Sequence, residues 1–528
     1  MSLDAFIHYL HYDTDKARPP DWEVDWEDAP LPYKLYRGLP VVSLCPEVPL
    51  TLEGGRGWGK PDIRRIAHFL WYVFGLTQVC QSVIPLDSTE HAVGSMPFKR
   101  RFVPSGGGLY PNELYVYLKL EDLPQGVYHY DVAHHQLILL REGDFDSYLA
   151  RALGSRCDVS ACFGAVFVST LFWKNFFKYH NFGYRLQGLD AGVLIGQLLE
   201  VAKRFGISSG VYFQFLDLAV NHLLGITEQE ESVYAVIPLS AAPEITWFAN
   251  RRDDDAMVSA AELCRELPVV QHQHYVRSQR VREYPMLIRM NEVSLLDSPH
   301  SFRRIVGEKK AAEAGPVQAV ILPSVNRLSY DLAPVCRKRY SPEMDFVMGR
   351  ISEPNLAALL QEAAKSFLYR NDLDGACENP VPRVRLYCCL RGVEGIPDGA
   401  YRYDSTHHLL RQVRPGDHRL RLQQGMSLDN VNLYQVPLSL HVAGDKDHLL
   451  TLLGYRGYRI QQMEAGMLVQ RLLLAAFAMG MGGHPLLGYD VNLCDEIYHM
   501  ARHGQTSLIQ VPVGPYRDRP RLSGGLHG

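Results

Sequence analysis

The sequence predicts an α+β chain made of two tandem copies of one domain. Three observations predict it. The run Gly126–His135 (GVYHYDVAHH) returns 273 residues later as Gly399–His408 (GAYRYDSTHH). Gly183-Tyr184-Arg185 returns as Gly457-Tyr458-Arg459, at an offset of 274. Each copy sets short alternating apolar runs before one long run of helical spacing, the order of an α+β unit.

The elements follow in order. Glu113–Leu120 and Val384–Leu390 alternate apolar and polar residues and are rich in Tyr and Val, which predicts a strand. A glycine-centred turn and a second short strand follow, ending at the paired histidines. Ala165–Thr170 and Leu438–Val442 predict another strand. Leu186–Phe205 and Ile460–Met479 predict long amphipathic helices, each followed by a glycine (Gly206, Gly480) suited to a left-handed cap. Asp190-Ala-Gly192 matches Glu464-Ala-Gly466 inside them. Val233–Ile237 and Leu508–Val513 close the copies as final strands, giving a mostly antiparallel sheet in each. The expected division is an N-terminal arm over 1–60, a first domain over 61–242, a connector over 243–317 and a second domain over 318–528. The connector is charged (Arg251–Asp255, Gly307–Lys310) and is expected to hold one or two helices.

The chain has 528 residues, 47% of them apolar and 21% charged, the balance of an ordinary globular protein. A net charge of −4 gives no electrostatic case for nucleic acid or an anionic membrane. The N-terminus lacks a basic stretch followed by an apolar run, and no apolar run is long enough to span a bilayer, so a cytoplasmic protein is expected. Ten cysteines with no CxxC pair read as buried thiols of a reducing compartment. No zinc spacing occurs. His134–His135 and His407–His408 sit in polar hairpin segments without acidic or cysteine partners nearby, and no metal site is expected.

One stretch carries chemistry. Arg101-Phe-Val-Pro104-Ser105-Gly106-Gly107-Gly108-Leu-Tyr-Pro-Asn-Glu-Leu-Tyr115 joins a serine to three glycines. Such a turn lets backbone N–H groups approach a ligand with no side chain in the way. Arg337 and Arg339, two apart near a helix start, are forked donors suited to a phosphate. The run from Arg101 closely resembles the signature of nitroreductase-like flavoproteins, in particular the SagB-type azoline peptide dehydrogenases. GVYHYD, Lys178-Tyr179 with Gly183-Tyr-Arg185, and Asp190-Ala-Gly192 continue the pattern in order. Arg337-Lys-Arg339-Tyr-Ser341 and Ile351-Ser352 resemble the opening of the same fold in the second copy.

The resemblance implies a flavin mononucleotide (FMN) site of the kind these proteins build between two subunits. One subunit gives the PSxG turn that lies against the ring system. The other gives arginines and late basic residues for the phosphate. The first copy has the turn, with Arg101, Pro104, Ser105, Gly106 and Gly107, but lacks the arginine opening. The second has Arg337, Arg339 and Ser341, the glycine-rich Gly482-Gly483, and the basic tail with Arg517 and Arg519, yet no PSGG before its strand. The expectation is an intrachain pseudo-dimer of two nitroreductase-like domains with one complete FMN site.

The resemblance also implies that Lys178 and Tyr179 are catalytic. At the 274-residue offset the second copy has Leu452 and Leu453, which transfer no protons. The implied reaction oxidises a thiazoline or oxazoline ring of a ribosomal peptide to the aromatic ring. A proton leaves the α-carbon and a hydride goes to the flavin. The expected partners are the azoline peptide and a cyclodehydratase. Either residue serves as base: Tyr179 with its pKa lowered by the neighbouring ammonium, or a desolvated Lys178. On a regular helix adjacent residues do not face each other, so the pair acts together only at an irregular turn. Two other readings stand beside this one: a nitroreductase or flavin reductase using NAD(P)H on small molecules, and a non-catalytic scaffold with degenerate flavin sites.

Overall fold

The computed structural model describes residues 1–53, 61–85, 93–242, 247–248, 258–305, 319–365, 369–375, 377, 381–518 and 522–525. Arg519 lies outside them, as do the charged runs 251–255 and 307–310 and residues 378–380 before the second copy's strand.

The first half contains α1 (Leu3–Tyr12), β1 (Val41–Ser43), α2 (Ile63–Phe74), β2 (Leu76–Pro85), β3 (Val93–Arg101), β4 (Asn112–Leu118), β5 (Gly126–Asp131), β6 (Gln136–Glu142), α3 (Asp146–Ala152), β7 (Gly164–Leu171), α4 (Trp173–Tyr179), α5 (Gly183–Arg204), β8 (Ser208–Ser209), α6 (Asp217–Leu224) and β9 (Glu231–Ser240). Two short helices follow, α7 (Ala260–Glu266) and α8 (Pro285–Glu292). The second half contains β10 (Ala319–Ile321), α9 (Leu332–Lys338), α10 (Glu353–Leu360), β11 (Arg385–Leu390), β12 (Gly399–Asp404), β13 (Leu409–Pro415), α11 (Arg419–Gln424), β14 (Leu438–Asp445), α12 (Leu450–Leu453), α13 (Arg456–Ala478), β15 (Gly482–Gly483), α14 (Val491–Ile497), β16 (Gln505–Gly514) and β17 (Leu522–Gly525).

Each half builds a seven-stranded sheet in the same order. The first runs β1-β6-β5-β4-β7-β9-β8 and the second β10-β13-β12-β11-β14-β16-β15, with every described strand pair antiparallel. Strand alternation divides the core. Leu114 and Val116 face the layer of α2 and α5, while Tyr115 and Tyr117 face α3, α6 and α7. In the second half Leu386 and Cys388 face α10 and α13, and Tyr387 and Cys389 face α11 and α14.

The long helices differ from expectation. Both are buried almost all round rather than on one stripe. Each packs on its own sheet and also on its counterpart, so neither has a solvent face. Backbones touch where they cross. A side chain at Gly192 would run into the Met463 carbonyl, and one at Gly466 into the Leu189 carbonyl. The matched DAG and EAG triplets therefore form one contact between the halves.

Helix α1 crosses to the second half: His11 hydrogen-bonds Thr506, and the Tyr455 hydroxyl donates to Asp4. Hairpin β2–β3 was not expected from the sequence. It forms a third sheet in which β17, from the end of the chain, pairs with β2. His134 and His407 do have carboxylate partners, Asp131 and Asp404, contrary to expectation. These are turn contacts, since the same carboxylates also accept nearby backbone N–H groups. No cluster able to hold a metal ion occurs among the described residues.

Candidate functional site

Ser105 begins the turn in extended backbone, after which Gly107 and Gly108 take φ of +64° and +69°. Only glycine adopts this at no cost. The Asp190 carboxylate on α5 holds the turn from below. Ser105 Oγ lies 2.5 Å from Asp190 Oδ2, and Gly106 N donates to Oδ1 at 3.1 Å. Tyr110 N donates to Ser105 Oγ at 2.9 Å. Gly107 and Gly108 stay exposed.

The catalytic candidates meet this turn. A Cβ built on Gly107 would lie 2.5 Å from Tyr179 Oη and 3.1 Å from Lys178 Nζ. Regular helix ends at Tyr179, and His180 adopts φ 51°, ψ −138°. Lys178 and Tyr179 thus lie in the last turn of α4 and not in the irregular turn that the condition on the pair asked for, yet Lys178 Nζ sits 5.1 Å from the centre of the Tyr179 ring. The ring of Trp26, from the N-terminal arm, also packs on the ammonium, at 5.2 Å.

Burial, helped by the Arg18 charge, lowers the Lys178 pKa. Tyr179 moves the other way. Burial pushes its phenol up to about 12, and the Asp190 charge adds to the rise. The expected lowering of Tyr179 by its neighbour's ammonium is absent, because desolvation of the phenolate dominates. Lys178 therefore gives up its proton more readily than an exposed lysine, and the Tyr179 phenol holds its proton more firmly than an exposed tyrosine.

The second half reaches the same turn. Arg339 Nε donates to the Phe102 carbonyl at 3.0 Å and Arg339 Nη2 to the Arg101 carbonyl at 3.4 Å, just before Pro104. The Arg337 charge lies near the Tyr72 hydroxyl of α2, opposing the rise that burial gives its phenol. Gly482 is pressed against Pro342, its Cβ position 2.8 Å from the Tyr516 ring. Tyr516 in turn lies 5.9 Å from the Tyr340 ring, over which the Arg100 guanidinium stacks at 5.3 Å. Gly483 pairs with Val513, Ser341 is half-buried, and Arg517 is exposed, its N–H donating to the Asp345 carbonyl. Arg101 is buried between the Phe74 and Tyr110 rings, with Nη1 lacking a partner among the described residues.

These residues fit a flavin in two respects. The glycine turn presents open backbone beside Tyr179, and Arg101 carries an unspent buried donor. Arg339 holds the turn's leading segment through carbonyls, a role that its spacing alone did not reveal.

The buried layer under α4 was also missed. Glu113 binds Lys174 and His129, and Glu231 binds Lys34. The sequence marks Glu113 only as a residue of the motif, and its partners lie 61 and 16 positions away.

Residues 79–239 match the model of the nitroreductase family. The fold is that of a nitroreductase, present twice. A solved nitroreductase-type structure from Anabaena variabilis superposes over 98% of this chain and 99% of its own, with a TM-score of 0.74 and 21% identity. Two curated proteins are similar over a quarter of the chain. One is the nitroreductase-like MJ1384 of Methanocaldococcus jannaschii, 26% identical over 133 residues and 64% of its length. The other is the trifolitoxin-processing protein TfxB of Rhizobium leguminosarum bv. trifolii, 30% identical over 142 residues and 37% of its length. The chain thus spans under two thirds of each of these two relatives. No helix among the described residues is long and apolar enough to cross a membrane.

Proposed function

We propose that the chain is an FMN-dependent oxidoreductase with one competent site, assembled from both halves as in a dimer fused into one chain. The observation that carries this is the meeting at Gly107 of the PSGGG turn with Lys178 and Tyr179, while Arg339 of the second half grips the segment leading into it. FMN is the cofactor, and when bound it supplies the two-electron acceptor or donor. Gly106–Gly108 would face the ring, and Arg337, Ser341, Gly482–Gly483 and Arg517 are the candidates for the phosphate side. Lys178, uncharged more readily than an exposed lysine, takes a proton from the substrate carbon. Tyr179, its phenol protonated, would be a hydrogen-bond donor beside Gly107, and the Trp26 ring packs against the amine.

Two substrates follow from different observations. The family match favours a reductase of small molecules that draws electrons from NAD(P)H. The Lys178–Tyr179 pair favours azoline dehydrogenation in a peptide, and the similarity to a protein named for trifolitoxin processing supports a peptide-maturation setting. Anaerobic purified protein tests both. Yellow protein bleached by an azoline peptide and not by NADPH supports the dehydrogenase, and the reverse supports the reductase. Protein that binds no FMN overturns the proposal. A ratio near two flavins per chain overturns the single site.

A further inference from the structure

Asp190 differs from the other buried acids of its layer. Glu113, Glu231, Asp217, Glu200 and Glu464 each touch a lysine or arginine. Asp190 is 8% exposed, and among the described residues its hydrogen-bond partners are Ser105 Oγ and Gly106 N. A buried carboxylate without a cation is costly in its charged form.

The hydrogen inventory of Ser105 then matters. A hydroxyl has one hydrogen to donate and two lone pairs to accept with. One lone pair takes Tyr110 N–H. While Asp190 is a carboxylate, the Ser105 hydrogen must point inward to Oδ2. If Asp190 takes up one proton from solvent, its O–H donates to Ser105 instead. Both lone pairs are then filled, and the Ser105 hydrogen turns outward.

We propose that Asp190 is a proton-linked latch on the PSGGG turn: charged, it draws the Ser105 hydroxyl hydrogen inward; protonated, it frees that hydrogen to donate to whatever is bound beside Gly107 and Tyr179. Asp190 is a positioning residue here, acting through Ser105. This rests on the reading of the turn as the flavin-facing loop. Burial pushes the Asp190 carboxyl up to about 7, against the pull of the Ser105 and Gly106 hydrogen bonds, so both states are reached near neutral pH. The titratable groups around it are Tyr179 and Lys178 at the end of α4 and Tyr110 of the turn. From α13, Gln462 and Met463 face α5 at Gly188 and Gly192 and carry no charge.

The test uses the full chain, with Asp190→Asn and Ser105→Ala checked for folding by circular dichroism. Infrared difference spectra of the flavin-free protein across pH 5.5–8.5 are expected to show one carboxyl band titrating near neutrality, absent in Asp190→Asn and displaced in Ser105→Ala. FMN binding, read by fluorescence quenching, is expected to tighten about five- to tenfold toward acid pH, the worth of one added hydrogen bond. Both variants are expected to bind FMN with a flat pH profile. An inflection in FMN binding that survives in either variant, or a wild type with no neutral-range carboxyl, overturns the latch. A titrating band in protein that binds no FMN sustains the latch and overturns the proposed function, so the two failures read differently.

Discussion

The corner around Asp190 and the corner around Glu464 stand at equivalent places in the two halves, with opposite contents. Asp190 supports a glycine turn that is open to solvent. Glu464 is held by Arg383 at 2.5 Å and by the Tyr369 hydroxyl at 2.6 Å, and Arg383 also binds Asp374. Arg383 stands where the first half has Tyr110, at the 273-residue offset. Beside these corners the backbone is the same. His180 (φ 51°, ψ −138°) and Gly454 (φ 58°, ψ −157°) share one rare conformation. Lys178 and Tyr179 precede the first, and Leu452, 52% exposed, and Leu453 precede the second. The fold was kept while the second corner was filled by an ion-paired cluster. A duplicated scaffold thus constrains where a site lies and leaves its chemistry free to diverge.

The comparison breaks first at the proposed catalytic pair. Lys178→Ala should lower turnover by roughly 10²–10⁴-fold, the range for a general base, with bound FMN unchanged by its absorbance. Installing Lys and Tyr at Leu452 and Leu453 should add no second activity, because the glycine turn is missing there. A gain in turnover would show that the second corner is not closed.

Arg383→Met should come next. It strands Glu464 and Asp374 without their cation and should cost about 3–5 kcal/mol in urea unfolding, with turnover per folded chain preserved. The mirrored change Asp190→Asn removes a buried charge and should destabilise far less.

The pH dependence of stability has two opposing parts. Burial holds His135, His274, His448 and His484 down to about 4, so they stay neutral in the fold while the unfolded chain takes up protons below about 6.5. Stability from these groups is lost as pH falls from 6.5 to 4. Asp190, raised to about 7, contributes the reverse sign: its protonated form is retained on folding, so its contribution falls as pH rises from 3.8 to 7. Asp495, raised by burial to about 6, acts in the same direction as Asp190. Four histidines outweigh these two carboxyls, so the net urea midpoint should drop on acidification. A midpoint that rises between pH 6.5 and 4 would contradict the neutral state of the histidines.

The smallest expected effect is at Gly454. A Cβ there meets nothing within 4 Å, so Gly454→Ala isolates backbone strain and should cost about 1–2 kcal/mol. His180 bears that strain in the first half, where its ring packs 4.7 Å from both Trp22 and Phe176. Strain kept beside Lys178 and relieved beside Leu452 is what a working and a silent corner would each require.

Much of the architecture was legible because its signals are local. Alternation in Glu113–Leu120 and the repeated GVYHYD fix strands by neighbours in sequence. Glycines 192 and 466 were legible as matched positions, though only the crossing helices show why no side chain fits. The turn at Ser105 was legible from its glycines. Its support was not, since Asp190 lies 85 residues away and reads as part of an alanine–glycine triplet. The Arg383–Glu464 pair, 81 residues apart, was hidden for the same reason. The direction of the Tyr179 shift needed burial, which adjacency to Lys178 does not report.

Arg339 and β17 have a consequence for synthesis of the protein. The segment leading into Ser105 is clasped by a residue more than two hundred positions later, and the hairpin before it gains its third strand only from residues 522–525. At about 5–20 residues per second, roughly 20–80 s separate the emergence of the turn from that of its last strand. A nascent chain would therefore carry Lys178 and Tyr179 long before residues 522–525 complete the sheet that leads into the turn beside them.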